Sequence, residues 1–308
     1  MSSELYHIKQ QFVLGAYTTL VSLPLPDPNS PDYTPTLIYQ ARAHIALNDP
    51  ASALSILPES SENVAIKAAS ALAKFEAASG DAVVETALEA LRDLAVEVEG
   101  ECDGTESEKD LVRVLAGTAF AKAGEIEEAL ETLGTETEDL EAVAVIVQIC
   151  LSIHRPDLAK KTFERVKMSA EDDLLLQLIE SSIDLVSGKG AYNNPESFYS
   201  EQLGNPSLSS SHLLVARGVS RILKGEIPAA KSDIDEALEQ GSKDDPEALA
   251  ALVVVSGLGG TKKDEADEIW QNFSSKHPTH PLVVDVQQKE ASFGEFASKF
   301  TVPPLAVA

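Results

Sequence analysis

The side chains most suited to chemistry are six histidines and two cysteines, and only His277 and His280 form a close pair of histidines in the sequence. Histidine pairs at short spacing can bind zinc. The proline between these two breaks the helical spacing, and no cysteine or carboxylate lies within three residues of either. We therefore expect neither a metal site nor a cofactor.

A glycine-rich stretch at 257–260, followed by Thr-Lys-Lys at 261–263, has the composition of a phosphate-binding loop. Its spacing fits neither G-x-x-x-x-G-K-[ST] nor G-x-G-x-x-G, and it follows a helical pattern rather than a strand. No G-x-S-x-G nucleophile elbow occurs either. Pairs of acids such as Glu127 and Glu131 arise by chance in a chain with 50 Asp and Glu residues. The sequence contains no catalytic constellation, so we predict that the protein is not an enzyme.

The net negative charge of the chain excludes some classes of binding partner. The 308 residues include 50 acids and 24 bases, a formal net charge of −26, and 44 % hydrophobic residues, which suffice for a packed core. Such a chain is repelled by phosphate backbones and by anionic lipids, so we expect no nucleic-acid binding, and membrane contact only through a complex. Residues 97–141 hold fifteen acids and three bases, a net charge of −12, which we interpret as a solvated outer rim.

The cysteines and the apolar runs indicate a cytoplasmic protein. Cys102 and Cys150 are too few for a secreted disulfide framework, which favours a reducing compartment. The first eleven residues show no signal-peptide pattern, and no apolar run is long enough to cross a bilayer.

A pattern of residue types that is typical of helix pairs repeats along the chain. Two segments share one order of residue types: a glycine, a larger residue, a turn glycine followed by Glu-Ile, then an alanine and a large aliphatic residue. The positions are Gly117, Phe120, Gly124, Glu125, Ile126, Ala129 and Leu133 in one segment, and Gly218, Arg221, Gly225, Glu226, Ile227, Ala230 and Ile234 in the other. This order is typical of tetratricopeptide (TPR) helix pairs, whose unit is near 34 residues.

Weaker copies keep the same register. The turn anchors are separated by 33, 34, 42, 30, 71 and 36 residues, at Leu20, Ala53, Ala87, Ala129, Ala159, Ala230 and Ala266. The gap of 71 residues should hold one more helix pair, at 179–186 and 195–203, and the gap of 42 residues reflects a mobile acidic insert at 97–110. Ala, Leu and Glu dominate and strand patterns are absent.

We therefore predict an all-α, TPR-like α-solenoid of antiparallel helix pairs, with about eight hairpins over 1–281, as a single domain over 1–308. A capping helix at 282–300 should cover the last hydrophobic face. Its apolar positions are Val283, Val286, Phe293, Phe296 and Phe300. The sequence leaves open whether the array forms an open groove or a closed ring.

The first helix of each TPR unit lines the concave groove, and those positions are small and apolar here. They are Val114, Thr118, Ala121, Ala144, Gln148, Leu151, His212, Val215, Val219, Ile222, Ala251 and Val255. An apolar groove of this size should be filled by a segment of a partner protein. The alternative is that some of these residues contact neighbouring helices.

Four segments resemble the epsilon subunit family of coatomer. They are residues 4–17, 38–44, 144–178 and 280–293, which occur in the family's order. The loop at 187–196, Gly294 and the insert at 97–110 depart from the family pattern. The resemblance implies a non-enzymatic TPR solenoid in the COPI vesicle coat that binds and stabilises the carboxy-terminal domain of the alpha subunit.

The resemblance also implies other coatomer subunits as partners, and Golgi-to-ER retrograde and intra-Golgi transport as the process. It places the protein in the cytoplasm, peripherally on Golgi membranes and on COPI-coated vesicles. A rival hypothesis is a TPR adaptor or co-chaperone that recognises a peptide of another partner. Inward Lys, Arg and Asn residues, which such domains use to bind acidic tails, are missing from the predicted groove. A small helical enzyme is a third hypothesis, which no sequence feature favours.

Overall fold

A computed structural model of the chain describes residues 3–100, 104–168, 173–188 and 191–300. These residues form seventeen α-helices and no strand, so the all-helical, TPR-like prediction is confirmed. The helices are α1 Ser3–Val13, α2 Tyr17–Ser22, α3 Tyr33–Ala46, α4 Pro50–Ile56, α5 Val64–Ala77, α6 Asp81–Glu99, α7 Glu106–Ala123, α8 Ile126–Leu133, α9 Leu140–Ser152, α10 Pro156–Val166, α11 Leu174–Ser187, α12 Asn193–Leu203, α13 Ser211–Lys224, α14 Ile227–Gln240, α15 Pro246–Leu258, α16 Lys263–Lys276 and α17 Pro281–Ala297.

Five turns between paired helices share one geometry, which confirms the register of the repeat. Each has a residue with positive φ, at Gly15, Asn48, Gly124, His154 and Gly225. The amide of the next residue bonds to the carbonyl five residues earlier, at 2.8–2.9 Å in all five turns. This is the hydrogen bond of a Schellman-type helix end. Two turns use Asn48 and His154 in place of glycine, which is why those repeats are weaker in the sequence.

Side-chain caps explain why several helices begin where they do. Asn63, Asp139 and Asp245 each accept a hydrogen bond from an amide in the first turn of the following helix. Thr105 and Glu108 form a reciprocal capping box at the start of α7. That box places 106–110 in a helix, and α6 continues to Glu99. The prediction of a mobile insert over 97–110 is therefore wrong at both ends, while residues 101–103 lie outside the described part of the chain.

The chain divides into two compact units, Met1–Leu213 and Leu214–Ala308, which we describe separately as unit 1 and unit 2. The sequence predicted a single domain over 1–308, and that remains a prediction. In unit 1 the odd-numbered helices α3, α5, α7, α9 and α11 pack against one another in succession and form an inner layer. One continuous core runs from Leu37 to Ile183.

Small residues set the distance between paired helices in unit 1. The anchors Ala53, Ala129 and Ala159 are all fully buried. A Cβ atom added at Gly117 would lie only 2.5 Å from Leu133 Cγ, so glycine is needed there for α7 and α8 to pack. The repeat pattern read from the sequence is thus a packing pattern.

Unit 1 closes on itself. Helix α1 packs against α11, near the other end of the unit. Gln11 Nε2 donates a hydrogen bond to Ser207 O at 3.3 Å, and Ser210 Oγ donates to Leu14 O at 2.7 Å. The rings of Tyr17 and His212 meet edge to face at 5.3 Å. These contacts join residues almost 200 positions apart, so within this unit the array is a closed ring.

Unit 2 contains the rest of α13 and helices α14 to α17. Arg217 and Arg221 both pair with the buried Asp233, at 2.7 and 2.8 Å, and link α13 to α14. Val283 near the start of α17 is fully buried against Leu249 and Phe273.

The two halves of α17 differ in burial. Phe293, Phe296 and Phe300 are 75 %, 59 % and 75 % exposed. The helix therefore runs past the core on which its first turns pack. The prediction that these three side chains cover the last hydrophobic face is wrong.

Candidate partner-binding surface

The structure places the predicted groove residues in different environments. Val255 is fully buried in the core of unit 2, so it is a core residue and cannot contact a partner. Val215, Val219 and Ile222 are half-buried and pack against the same core. These residues therefore contact neighbouring helices, which was the alternative to lining a groove.

The predicted groove residues of unit 1 also differ among themselves. Ala144 and Leu151 are half-buried and pack against the core, whereas Gln148 is exposed. The hydroxyl of Thr118 donates to Val114 O at 2.7 Å. His212 belongs to the ring closure through Tyr17. That these residues bind a partner remains a prediction.

A cavity of about 600 Å³ opens in unit 1, which we call the inner cavity. It is lined by α1, α3, α5, α7 and α9 and by the loops before α3 and α7. Its apolar wall includes Leu5, Ile38, Leu111 and Val114. Val114 is only 2 % exposed. Val114 is the only residue of the predicted groove set that lines it. Its acidic and basic side chains are Lys9, Arg42, Glu108, Asp110, Asp139 and Glu141, and the phenol of Tyr39 lies beside them.

An ion pair between α3 and α9 dominates one side of the inner cavity. Arg42 Nη2 lies 2.7 Å from Glu141 Oε2, with the two side chains only 12 % and 17 % exposed. The hydroxyl of Tyr39 donates to Glu141 Oε1 at 2.9 Å. Because both side chains are largely shielded from solvent, the electrostatic attraction between Arg42 and Glu141 is much stronger than that of an exposed surface pair.

The protonation of this cluster follows from its contacts. Burial acts to raise the pKa of Glu141, but the charge and hydrogen bond of Arg42 and the hydrogen bond of Tyr39 outweigh it, so that pKa lies below its usual value. Burial and the charge of Glu141 hold the pKa of Tyr39 far above its usual value. The cluster is therefore a carboxylate held ionised between two permanent donors.

A row of rings joins this ion pair to the ring closure. The Arg42 guanidinium lies 4.4 Å from the ring centre of Phe12, a cation–π contact. Phe12 contacts Tyr39 at 5.3 Å and Tyr17 at 5.6 Å between ring centres, and Tyr17 contacts His212. Tyr39 and Arg42, which line the cavity, are thus linked through Phe12 to α1 and through Tyr17 to α2.

The acids of the inner cavity correct the interpretation of the charge. Glu108, Asp110, Asp139 and Glu141 all belong to the acidic stretch 97–141, yet they line the cavity and do not form an outer rim. Asp139 accepts a hydrogen bond from Ala142 N at 2.8 Å. Burial, with the charges of Glu141 and Asp110, raises its pKa above the usual value, against the hydrogen bond from Ala142 and the charge of Lys9, which lower it. This carboxylate is thus held in a place that disfavours its charge.

Basic side chains also face the inner cavity, contrary to the expectation that inward cations are missing. Lys9 and Arg42 both line it. Arg42 is already paired with Glu141, so its charge is not available to an acidic peptide tail. The charged side chains of the lining are four carboxylates and two cations.

The sequence motifs that suggested metal or phosphate chemistry have structural roles. His280 Nδ1 accepts a hydrogen bond from Leu282 N and caps α17, and its Nε2 lies 3.4 Å from Glu247 Oε1. Among the described residues, no group of three metal-ligating side chains comes together. Residues 257–260 end α15 and enter the turn to α16. No described helix combines the length and apolar character needed to cross a membrane.

Sequence reasoning missed Arg42, Asp139 and Glu141. Asp139 gave a local signal, because an aspartate before an apolar helical run is a typical N-cap. The partnership of Arg42 with Glu141 gave none, since the two residues are 99 positions apart in the sequence.

Comparison with known proteins gives one consistent family. A model of the family described as "Coatomer epsilon subunit" matches residues 1–301. A probable coatomer subunit epsilon of Schizosaccharomyces pombe is 26 % identical, with 97 % of this chain and 96 % of the relative covered. Coatomer subunit epsilon of Caenorhabditis elegans is 24 % identical, with 97 % and 99 % covered.

A structural comparison agrees on the fold. A tetratricopeptide repeat protein from Parabacteroides merdae has a TM-score of 0.56 and 14 % identity, covering 82 % of this chain and 96 % of the other. At this identity the likeness supports the TPR-like fold alone.

Proposed function

The chain belongs to the coatomer epsilon subunit family, and from this premise we propose that it binds and stabilises the carboxy-terminal domain of the coatomer alpha subunit. Membership makes it a component of the COPI coat with other coatomer subunits as partners. Our proposal adds which subunit it binds and which surface it uses. It also includes a purely structural, non-catalytic role.

The observation that carries this proposal is the inner cavity within a closed ring. The lining combines apolar walls with a few charged side chains, which is typical of surfaces that receive a partner segment. A segment whose side chains enter the cavity loses contact with water there, so binding should stabilise both proteins. The half-buried Thr118, Ala144 and Leu151 and the exposed Gln148 are proposed to extend this surface.

The proposed process is Golgi-to-ER retrograde and intra-Golgi transport. The protein acts in the cytoplasm and reaches Golgi membranes and COPI-coated vesicles peripherally, as part of the complex. The net charge of −26 supports this route, because it opposes direct contact with anionic lipids.

Size-exclusion chromatography tests the proposal. We expect the full chain and a carboxy-terminal fragment of the alpha subunit to co-elute at low micromolar concentration, while an alpha fragment that ends before this domain elutes alone. Separate elution of the full chain and the carboxy-terminal fragment would contradict the proposal. Tight binding of a free acidic C-terminal peptide would favour the TPR adaptor or co-chaperone instead.

A further inference from the structure

Resting on the proposed function, we propose that the inner cavity accepts a lysine or arginine side chain of the alpha-subunit segment, held by Asp139 and Glu108. The proposal concerns the chemistry of the partner and not only the place where it binds. It commits to a protein segment that carries a basic side chain flanked by apolar residues.

The charges in the inner cavity are unbalanced toward carboxylates. Four acids and two bases line it. Arg42 is occupied by Glu141, and Asp110 is paired with Arg113 at 2.7 Å. Lys9, the other base of the lining, acts on Asp139 at longer range and lowers its pKa. No Lys or Arg of the described residues lies within ion-pair distance of Asp139 or Glu108. Their contacts are hydrogen bonds from neutral donors, Ala142 N for Asp139, and Asn63 and Thr105 for Glu108.

The apolar lining of the inner cavity would strengthen the attraction between its carboxylates and a positively charged side chain of the partner. Leu5, Ile38, Leu111 and Val114 make part of the lining apolar, and a charge pair beside an apolar wall is stronger than one in open water. The raised pKa of Asp139 means that its ionised form costs stability at neutral pH, and this cost falls as the pH drops through the folded-state pKa. A partner cation would remove the same cost without a pH change.

The size of the cavity fits side chains and not a folded element. Its volume of about 600 Å³ lies within the usual range of ligand pockets, roughly 300–1,000 Å³, which hold small groups. The apolar walls would receive the residues next to the basic one. A Lys or Arg stem is itself apolar and can pack along such a wall while its charged end reaches the carboxylates.

Two conservative variants test the proposal without removing a helix cap. In Asp139→Asn the new side chain still caps α9, since Asn is as good an N-cap as Asp. In Glu108→Gln the capping box of α7 is kept, because Gln serves at that position as well as Glu. The matched control is Glu127→Gln, which removes the same charge from an exposed position of α8.

The measurement is the Kd of the full chain for the alpha-subunit carboxy-terminal fragment, by titration calorimetry at two salt concentrations. We expect Asp139→Asn to raise the Kd at least about tenfold, the double variant with Glu108→Gln to raise it further, and Glu127→Gln to change it less than about twofold. The wild-type affinity should also fall more steeply with salt than that of the double variant.

The outcomes separate this inference from the function on which it rests. If the wild type does not bind the fragment, the proposed function fails and this inference fails with it. If the wild type binds and the double variant matches Glu127→Gln in Kd and salt dependence, only this inference is overturned. Thermal melting of each variant, expected to match the wild type, checks that weaker binding is not a loss of fold.

Discussion

Replacing Arg42 with methionine is expected to lower the free energy of unfolding by about 3–5 kcal/mol, because it leaves Glu141 buried without its counter-charge. Methionine keeps most of the apolar stem, so packing against Phe12 is largely retained. Chemical denaturation of the full chain, followed by circular dichroism, measures the loss. The matched control is Arg113→Met, which breaks a more exposed pair with Asp110 on one helix and should cost less than about 1 kcal/mol.

A second replacement distinguishes an unpaired charge from lost packing. The double variant Arg42→Met/Glu141→Gln removes both charges, so it should be more stable than Arg42→Met alone. Equal losses in Arg42→Met and Arg113→Met would contradict the assignment of a strong buried pair.

The sign of the pH dependence follows from the lowered pKa of Glu141. The pair stabilises the wild type above the unfolded-state pKa of the carboxyl, and this contribution is lost as the pH falls through the lower folded-state pKa. The stability difference between the wild type and Arg42→Met should therefore shrink as the pH falls through that range. A difference that stays constant with pH would mean that packing, and not charge, accounts for the loss.

Replacing Gly15 with alanine is expected to cost about 2–4 kcal/mol, since it combines backbone strain with a clash. Gly15 has φ +72°, and a Cβ atom there would lie 2.9 Å from His212 Cβ. The control Gly124→Ala has a similar φ of +87° but no atom within 4 Å of the new Cβ, so it should show the strain alone, about 1–2 kcal/mol.

The difference between these two glycine variants measures the closure of unit 1. His212 reaches Gly15 only because the chain returns to its first helices. Equal losses in the two denaturation experiments would show that His212 can move away freely, and that the ring closure contributes little.

The repeat could be predicted from the sequence because it rests on local rules. Gly124 and Gly225 mark turns that need positive φ, and Ala129 and Ala230 mark places where two helices touch. Such signals lie within some 20 residues of one another. They gave the helix pairs and the TPR-like fold, and the resemblance of four segments gave the family.

The proposed binding surface combines residues far apart in the sequence and could not be predicted in this way. The groove residues were assigned from helix position alone, which cannot tell the core-facing Val255 from a cavity-lining Val114. In the sequence, the acids at 97–141 have the pattern of a solvent-exposed charged segment. The structure places two of them, Glu108 and Asp139, in the lining of the inner cavity. The start of α17 is anchored by the buried Val283, whereas Phe293 is exposed.

Hydrogen exchange of the full chain, with and without the alpha-subunit carboxy-terminal fragment, most directly tests whether the inner cavity receives the partner. We predict that exchange slows on binding at amides of the cavity-lining loops, near Ser30 and Thr105, while the outer helices α8 and α10 are unchanged. The opposite pattern, with slowing confined to α8 and α10 and none in those loops, would contradict binding at the inner cavity.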